Sequence, residues 1–169
     1  AARYDADQSG RFRFPAQGAD FQLVITHPSG FAYLKSTDGS IPDTIHLTPW
    51  ARVEGTFRVG QETVANVGIT LNTETVHSYG PDVPNIFTHH DVTTGADGRF
   101  VFERVFPGKG RIGRRILLTV SDGAVETTSS QMVPAHFEPG QTLKLDLGGT
   151  GRPVTGRLVP PPGFQGEVL

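Results

Sequence analysis

Cysteine is absent from the 169 residues, and methionine and tryptophan each occur once. The first absence excludes disulfides, thiolate metal sites and cysteine nucleophiles, and leaves the compartment open. Charge of one sign is lacking too: 15 basic and 17 acidic residues give a formal net charge of -2. A general nucleic-acid binder needs a basic excess to displace counterions from phosphates, so nucleic acid is not an expected partner. No apolar run approaches the ~20 residues of a membrane helix, so direct membrane insertion is not expected. Hydrophobic residues make up 36% of the chain, which is low for a globular protein yet too high for a disordered one. The sequence opens Ala1-Ala2-Arg3-Tyr4-Asp5, without an initiator methionine or a basic-then-apolar leader, as expected of a processed or excised chain.

Glycine and proline are abundant instead, at 21 and 13 residues. They are the two poorest helix formers, so long helices are not expected. Alternation dominates the pattern. Val53, Gly55, Phe57 and Val59 share one face, and Arg52, Glu54, Thr56 and Arg58 the other. Period two with one apolar face reads as a half-buried strand. The same pattern places Val67, Ile69 and Leu71 inward, then Phe100 and Phe102, then Ile116, Leu118 and Val120, then Leu143, Leu145 and Leu147. Near the N-terminus Phe12 and Phe14 alternate with Arg11 and Arg13, and Phe21, Leu23 and Ile25 follow. Turn residues separate these runs, among them Ser9-Gly10, Ser29-Gly30, Asp97-Gly98, Pro107-Gly108, Asp122-Gly123 and Pro139-Gly140. Short strands at this spacing predict an all-β sandwich or barrel, with the inward phenylalanines in its core.

An internal repeat sets the organisation. Gly10-Arg11-Phe12-Arg13-Phe14 matches Gly98-Arg99-Phe100-Val101-Phe102, and Val53-Glu54-Gly55-Thr56-Phe57 resembles Val154-Thr155-Gly156-Arg157-Leu158. Each pair is separated by about the length of one small β domain. The expected division is therefore out of phase. Residues 1–47 form the C-terminal part of one module, 48–147 a complete module, and 148–169 a linker and the first strand of a third.

The central segment resembles the carboxypeptidase regulatory-like family. The residues that carry the resemblance are the opening Val53-Glu54-Gly55-Thr56-Phe57, the small turn Gly60-Gln61-Glu62-Thr63-Val64, and the hairpin Asp97-Gly98-Arg99-Phe100-Val101-Phe102. The Pro107-Gly108 turn and the strand Ile116–Val120 complete the order. The resemblance covers most of residues 51–147. It implies a Greek-key-type β-sandwich of the transthyretin-like, or prealbumin-like, kind in tandem copies. It also implies an accessory role, because such modules occur beside peptidases, in surface adhesins and in outer-membrane receptors. The family pattern offers no catalytic residues and no cofactor. The setting it implies is extracytoplasmic, whether periplasmic, cell-surface or secreted.

Several motifs invite chemistry. Gly108-Lys109-Gly110-Arg111-Ile112-Gly113 is a literal G-x-G-x-x-G. A dinucleotide loop needs a helix starting there, whereas Arg114–Val120 reads as a strand, so a basic turn between strands is expected. Asp5-Ala6-Asp7-Gln8-Ser9-Gly10 imitates half of a calcium loop, but its twelfth position is Ala16 rather than a bidentate glutamate. A hairpin turn explains it better. His77, His89 and Asp91 could supply three metal ligands only if the insert from Thr73 to Phe87 folds back. A polar surface strand is the simpler reading. Trp50 is read as a plug at the junction between modules, its N–H on a backbone acceptor. As an alternative, Trp50 with His77, Tyr79 and Phe87 would form a ligand-binding surface, with Trp50, Tyr79 and Phe87 as sugar-stacking platforms.

No catalytic constellation stands out, and the chain is read as a non-catalytic accessory or interaction module of a larger protein. A carbohydrate-binding module is one alternative. A regulatory domain attached to a peptidase or a thioredoxin-like enzyme is another. The expected partners are adjoining domains of the same polypeptide or of another protein, and possible glycans. The opening-strand pattern at the C-terminus also suggests self-association by strand exchange through residues 152–169.

Overall fold

The computed structural model describes residues 3–74, 88–119 and 125–151, together with 155–157, 159, 162 and 163 of the tail. The strands in chain order are β1 (Gln22–His27), β2 (Gly30–Lys35), β3 (Thr48–Pro49), β4 (Ala51–Val59), β5 (Glu62–Thr63) and β6 (Gly68–Thr73). There follow β7 (His89–Thr93), β8 (Arg99–Val105), β9 (Gly108–Thr119), β10 (Val125–Phe137) and β11 (Thr142–Gly149). One short 3-10 turn covers Ser36–Asp38. The fold is all-β.

The alternation of Arg52–Val59 places β4 at the centre of one sheet. It pairs parallel with β11, antiparallel with β8, and closes onto β5 through a tight turn at Gly60, whose φ is 63°. A second sheet has the order β10-β9-β6-β7. The inward residues of both sheets form one cluster: Ala51, Val53 and Phe57 of β4, Phe100, Phe102 and Val105 of β8, and Leu147 of β11 meet Ile69, Leu71, Ile112 and Phe137. Two sheets sharing one core define a β-sandwich. Val53, Ile69, Leu71, Val105, Ile112 and Phe137 have no accessible surface. Burying each of them contributes about 1.5–3 kcal/mol.

A third sheet, β1-β2-β3, lies outside this sandwich. It is a hairpin, Gln22↔Lys35 through His27↔Gly30, with β3 added along the start of β2. Leu23 and Ile25 are half-buried on it, and Phe21 precedes it.

Two expectations are corrected. The segment carrying Phe12 and Phe14 is not a strand, and Phe12 is 40% exposed rather than core. Its rings meet other aromatic rings: Phe12 stacks on Phe14 at 6.2 Å, and Phe14 meets Phe21 edge-on at 5.6 Å and Tyr4 at 6.3 Å. The physical reason is that no strand among the described residues pairs with it, since alternation cannot bury a face without a neighbour. The second correction concerns residues 108–113, which form the start of β9 and not a turn. Gly110 is needed there for close approach. A β-carbon on it would be driven into the Asn72 carbonyl and lie 2.7 Å from Phe137 Cε2.

The repeated turn keeps its geometry in both places. The Asp7 N–H donates to the Arg11 carbonyl at 2.9 Å, and the Gly95 N–H to the Arg99 carbonyl at 2.8 Å. The Gly10 N–H donates to the Asp7 carbonyl at 3.0 Å, and the Gly98 N–H to the Gly95 carbonyl at 2.9 Å. Gly10 and Gly98 take φ of 79° and 75°. Glycine adopts such values without steric cost.

Candidate functional site

Trp50 connects β3 to β4 and so stands where the hairpin sheet meets the sandwich. Its indole stacks on Phe31 of β2 with centroids 5.0 Å apart, and Phe106 stands edge-on to both rings, at 4.8 Å from Phe31 and 4.9 Å from Trp50. Phe31 and Phe106 are buried. The indole Nε1–H donates to the His27 carbonyl at 2.8 Å, which satisfies its one polar group. Phe31 therefore takes one face of the indole.

Beside this trio runs a groove of about 540 Å³, lined by Pro28, Ser29, Trp50, Arg52, Glu103, Arg104 and Gln141 among others. Arg52 and Glu103 of its wall belong to a cross-strand network that continues to Glu54 and Lys144 beyond it. Arg52 Nε donates to Glu103 Oε2 at 2.9 Å, Arg52 Nη1 also binds Glu54, and Lys144 Nζ lies 3.2 Å from Glu54 Oε1. The hydrogen bond from Arg52, with that from Lys144, holds the Glu54 carboxyl below its ordinary range. Glu103 and Glu54 raise the Arg52 guanidinium in turn. An aromatic edge beside fixed donors and acceptors is chemistry suited to hydroxyl-rich ligands.

The second polar constellation lies on the outer face of the second sheet. Thr70 pairs with Asp91, and Asn72 with His89, so these four alternate residues share a face. His89 Nδ1 lies 2.6 Å from Asn72 Oδ1, and its Nε2 lies 3.2 Å from Asp91 Oδ2. Arg115 Nη1 of β9 donates to the same Asp91 oxygen at 3.0 Å. Burial pushes the Asp91 carboxyl up, but hydrogen bonds from Thr70, His89 and Arg115 outweigh it and leave the carboxyl lowered. A guanidinium on Asp91 is a poor neighbour for a cation, because it repels the ion and occupies its ligand. Among the described residues no three His, Cys, Asp or Glu side chains converge as a metal site. His77, Tyr79 and Phe87 lie outside the described residues.

Asp7 of the calcium-like stretch is committed to its turn. Its Oδ1 accepts from the Ser9 N–H at 2.8 Å, the Ser9 hydroxyl at 2.7 Å and the Arg11 N–H at 2.9 Å. These bonds hold its carboxyl below the ordinary value. The literal G-x-G-x-x-G forms part of β9, with no helix N-terminus to hold a pyrophosphate.

Within β7, His89 and Asp91 share this face and His90 lies on the opposite one. Sequence reasoning missed Thr70, Asn72, Arg115 and the Arg52–Glu54–Glu103 network, which depend on strand register rather than on local pattern.

His90 faces inward, its ring 6.5 Å from Phe106, and its Nε2 has no hydrogen-bond partner among the described residues. Burial, reinforced by His89, lowers its pKa from 6.5. The unfolded chain therefore binds the proton first as pH falls. Stability is expected to drop as pH falls through 6.5 towards the lowered folded value. Thermal unfolding at pH 7.5 and pH 5.5 should show the loss, and His90→Leu should flatten it. An unchanged slope in that variant would assign the loss to another group.

No family model matches the chain, and no curated protein matches it. Among solved structures it is similar to a Pseudomonas aeruginosa protein described as a "putative carbohydrate binding protein", at 17% identity over 66% of this chain and 100% of that one, with a TM-score of 0.38. It is similar to the minor pilin GBS52 of Streptococcus agalactiae at 9% identity over 68% of this chain and 50% of that one, TM-score 0.38. The major pilin subunit BcpA of Bacillus cereus gives 16% identity over 80% of this chain and 40% of that one, TM-score 0.38. The chain thus spans half of the first pilin's length and less of the second's. Likenesses this distant carry no assignment.

Proposed function

We propose that the chain is a non-catalytic β-sandwich module, of the carboxypeptidase regulatory-like kind, from a larger extracytoplasmic protein built of such modules in series. Residues 48–147 are the complete module, 1–47 the later strands of a preceding copy, and 148–169 the entry into the next. The observation that carries this reading is the repeated turn, with the same backbone hydrogen bonds at Asp7–Arg11 and Gly95–Arg99. A serial module serves as a spacer and contact surface, its partners being the adjoining domains. The test is the intact mass of the native protein, detected in its source by an antibody to residues 48–147. A mass several times 18.2 kDa is expected, and a mass near 18.2 kDa would contradict the reading.

The groove beside Trp50 favours a second reading, glycan binding. A neutral oligosaccharide titrated against the single tryptophan should then change its fluorescence saturably, and Arg52→Ala should remove the change. A flat titration across neutral and acidic oligosaccharides would leave Trp50 with the junction role alone.

A further inference from the structure

β11 is an edge strand. It pairs with β4 on one side, and among the described residues no strand pairs with it on the other. The Arg52 N–H donates to the Gln141 carbonyl at 2.9 Å, and the Gly60 N–H to the Gly149 carbonyl at 3.1 Å. Odd-numbered residues from 141 to 149 thus turn their backbone groups toward β4. Backbone direction alternates along a strand, so the N–H and C=O groups of Lys144 and Asp146 point to the free side. Such a row of groups is a template for a further strand. The edge belongs to the module itself and does not involve residues 152–169, most of which lie outside the described residues.

The side chains select the strand that fits. Leu143, Leu145 and Leu147 face inward, and of these only Leu147 is fully buried. On the outer face a row of charges alternating in sign crosses β8, β4 and β11 through Glu103, Arg52, Glu54 and Lys144. Arg58 and Asp146, 4.0 Å apart, form a second row. Both rows stop at β11, one on a cation and the other on an anion, and both end groups are largely exposed. A copy of β11 turned antiparallel about Leu145 completes them. Lys144 then falls opposite Asp146 of the copy, and Asp146 opposite its Lys144. Leu145 faces Leu145, and Leu143 faces Leu147. Each row runs on without a break in alternation, from Glu54 and Lys144 to Asp146 and Arg58 of the copy. The backbone accepts the same register, because Lys144 and Asp146 are residues whose outward groups can exchange two N–H···O bonds across the pair. Sliding the copy two residues one way sets Lys144 against Lys144, and the other way Asp146 against Asp146. A one-residue slip sets leucines against charged residues.

We propose that the chain forms a closed dimer in which β11 pairs antiparallel with β11 of a second copy, Leu145 lying on the two-fold axis. The two β4 sheets become one continuous sheet. Opposite charges directly across antiparallel strands stabilise the pairing and like charges oppose it, so the Lys144–Asp146 pairs fix the register as well as the partner. The half-buried Leu143 and Leu145 gain apolar neighbours on the inner face. Both copies use the same patch, so association stops at two. This lateral contact is separate from the end-to-end contacts of modules in series.

Sedimentation of the full chain should show the mass rising with concentration from 18.2 kDa to twice that value and no further. Lys144→Glu sets a glutamate against Asp146 of the copy, and Asp146→Lys sets a lysine against its Lys144. Each variant should self-associate about tenfold more weakly or worse. Mixed together, the two variants meet with opposite charges at both positions and should form a heterodimer. That rescue separates a contact between copies from a folding defect, because each variant also loses an ion pair within its own chain. The absence of native cysteine gives a second readout. Under mild oxidation Lys144→Cys and Asp146→Cys chains should join each other faster than either joins itself, since directly opposed positions come within disulfide range and diagonal ones do not. A mass that stays at 18.2 kDa, a mass that grows beyond two copies, or a mixture of the charge variants that remains monomeric would overturn the proposal. So would equal rates of cross-linking in the mixed and unmixed cysteine variants.

Discussion

Replacing Gly55 with valine is expected to cost about 3 kcal/mol or more, against the ~5–15 kcal/mol that holds a domain together. The alternation of Arg52–Val59 turns this position inward, between the buried Val53 and Phe57. Glycine stands here because β4 is hydrogen-bonded on both sides and the Phe100 ring lies over the gap. The Leu145 carbonyl and the Phe100 ring occupy the space a β-carbon would take. Neither obstacle can yield cheaply, since one is backbone of β11 and the other a ring that is 2% exposed. The urea midpoint should fall sharply for Gly55→Val and clearly for Gly55→Ala. Gly18→Ala, where nothing lies within 4 Å, should leave it unchanged. A Gly55→Ala midpoint equal to that of the parent chain would show that the two sheet neighbours are not seated as described.

Truncating Phe31 to alanine should cost about 3 kcal/mol, and the loss should be local. Phe31 is 6% exposed, and its ring joins Trp50 and Phe106 where the hairpin sheet abuts the sandwich. Trp50 remains in this variant as a reporter, newly open on the face that Phe31 covered. Its emission should shift to the red. Amide exchange should accelerate across β1 and β2 while β6 and β9 keep their protection. Uniform acceleration across all of these strands would mean that hairpin and sandwich unfold as one unit.

The fold was largely legible because β4, β8 and β11 each bury one face, and alternation reports that directly. Phe12 and Phe14 show the limit of such reasoning. Their pattern is as regular as that of Phe100 and Phe102, yet the latter pair has β4 alongside and the former has no described strand. A strand is a property of two segments, and alternation in one segment reports only its readiness to pair. Gly108–Gly113 shows another limit. Glycine was read as turn punctuation, whereas Gly110 admits the Asn72 carbonyl and the Phe137 ring within a continuous strand. The candidate sites were legible only as single residues. Trp50 announced itself by rarity, and His89 with Asp91 by spacing. Their partners, Phe31 and Phe106 for the one, Asn72 and Arg115 for the others, come from distant strands whose register no local pattern encodes.

The claim on which the rest depends is that the chain is a complete β-sandwich module joined to parts of its neighbours. It is tested most directly by producing residues 48–149, which end with β11, and following their unfolding in urea. The account predicts one cooperative transition, with the β4, β6, β8 and β9 amides as protected as in the full chain. A fragment without a cooperative transition would contradict it, because the sandwich core would then depend on residues outside the module.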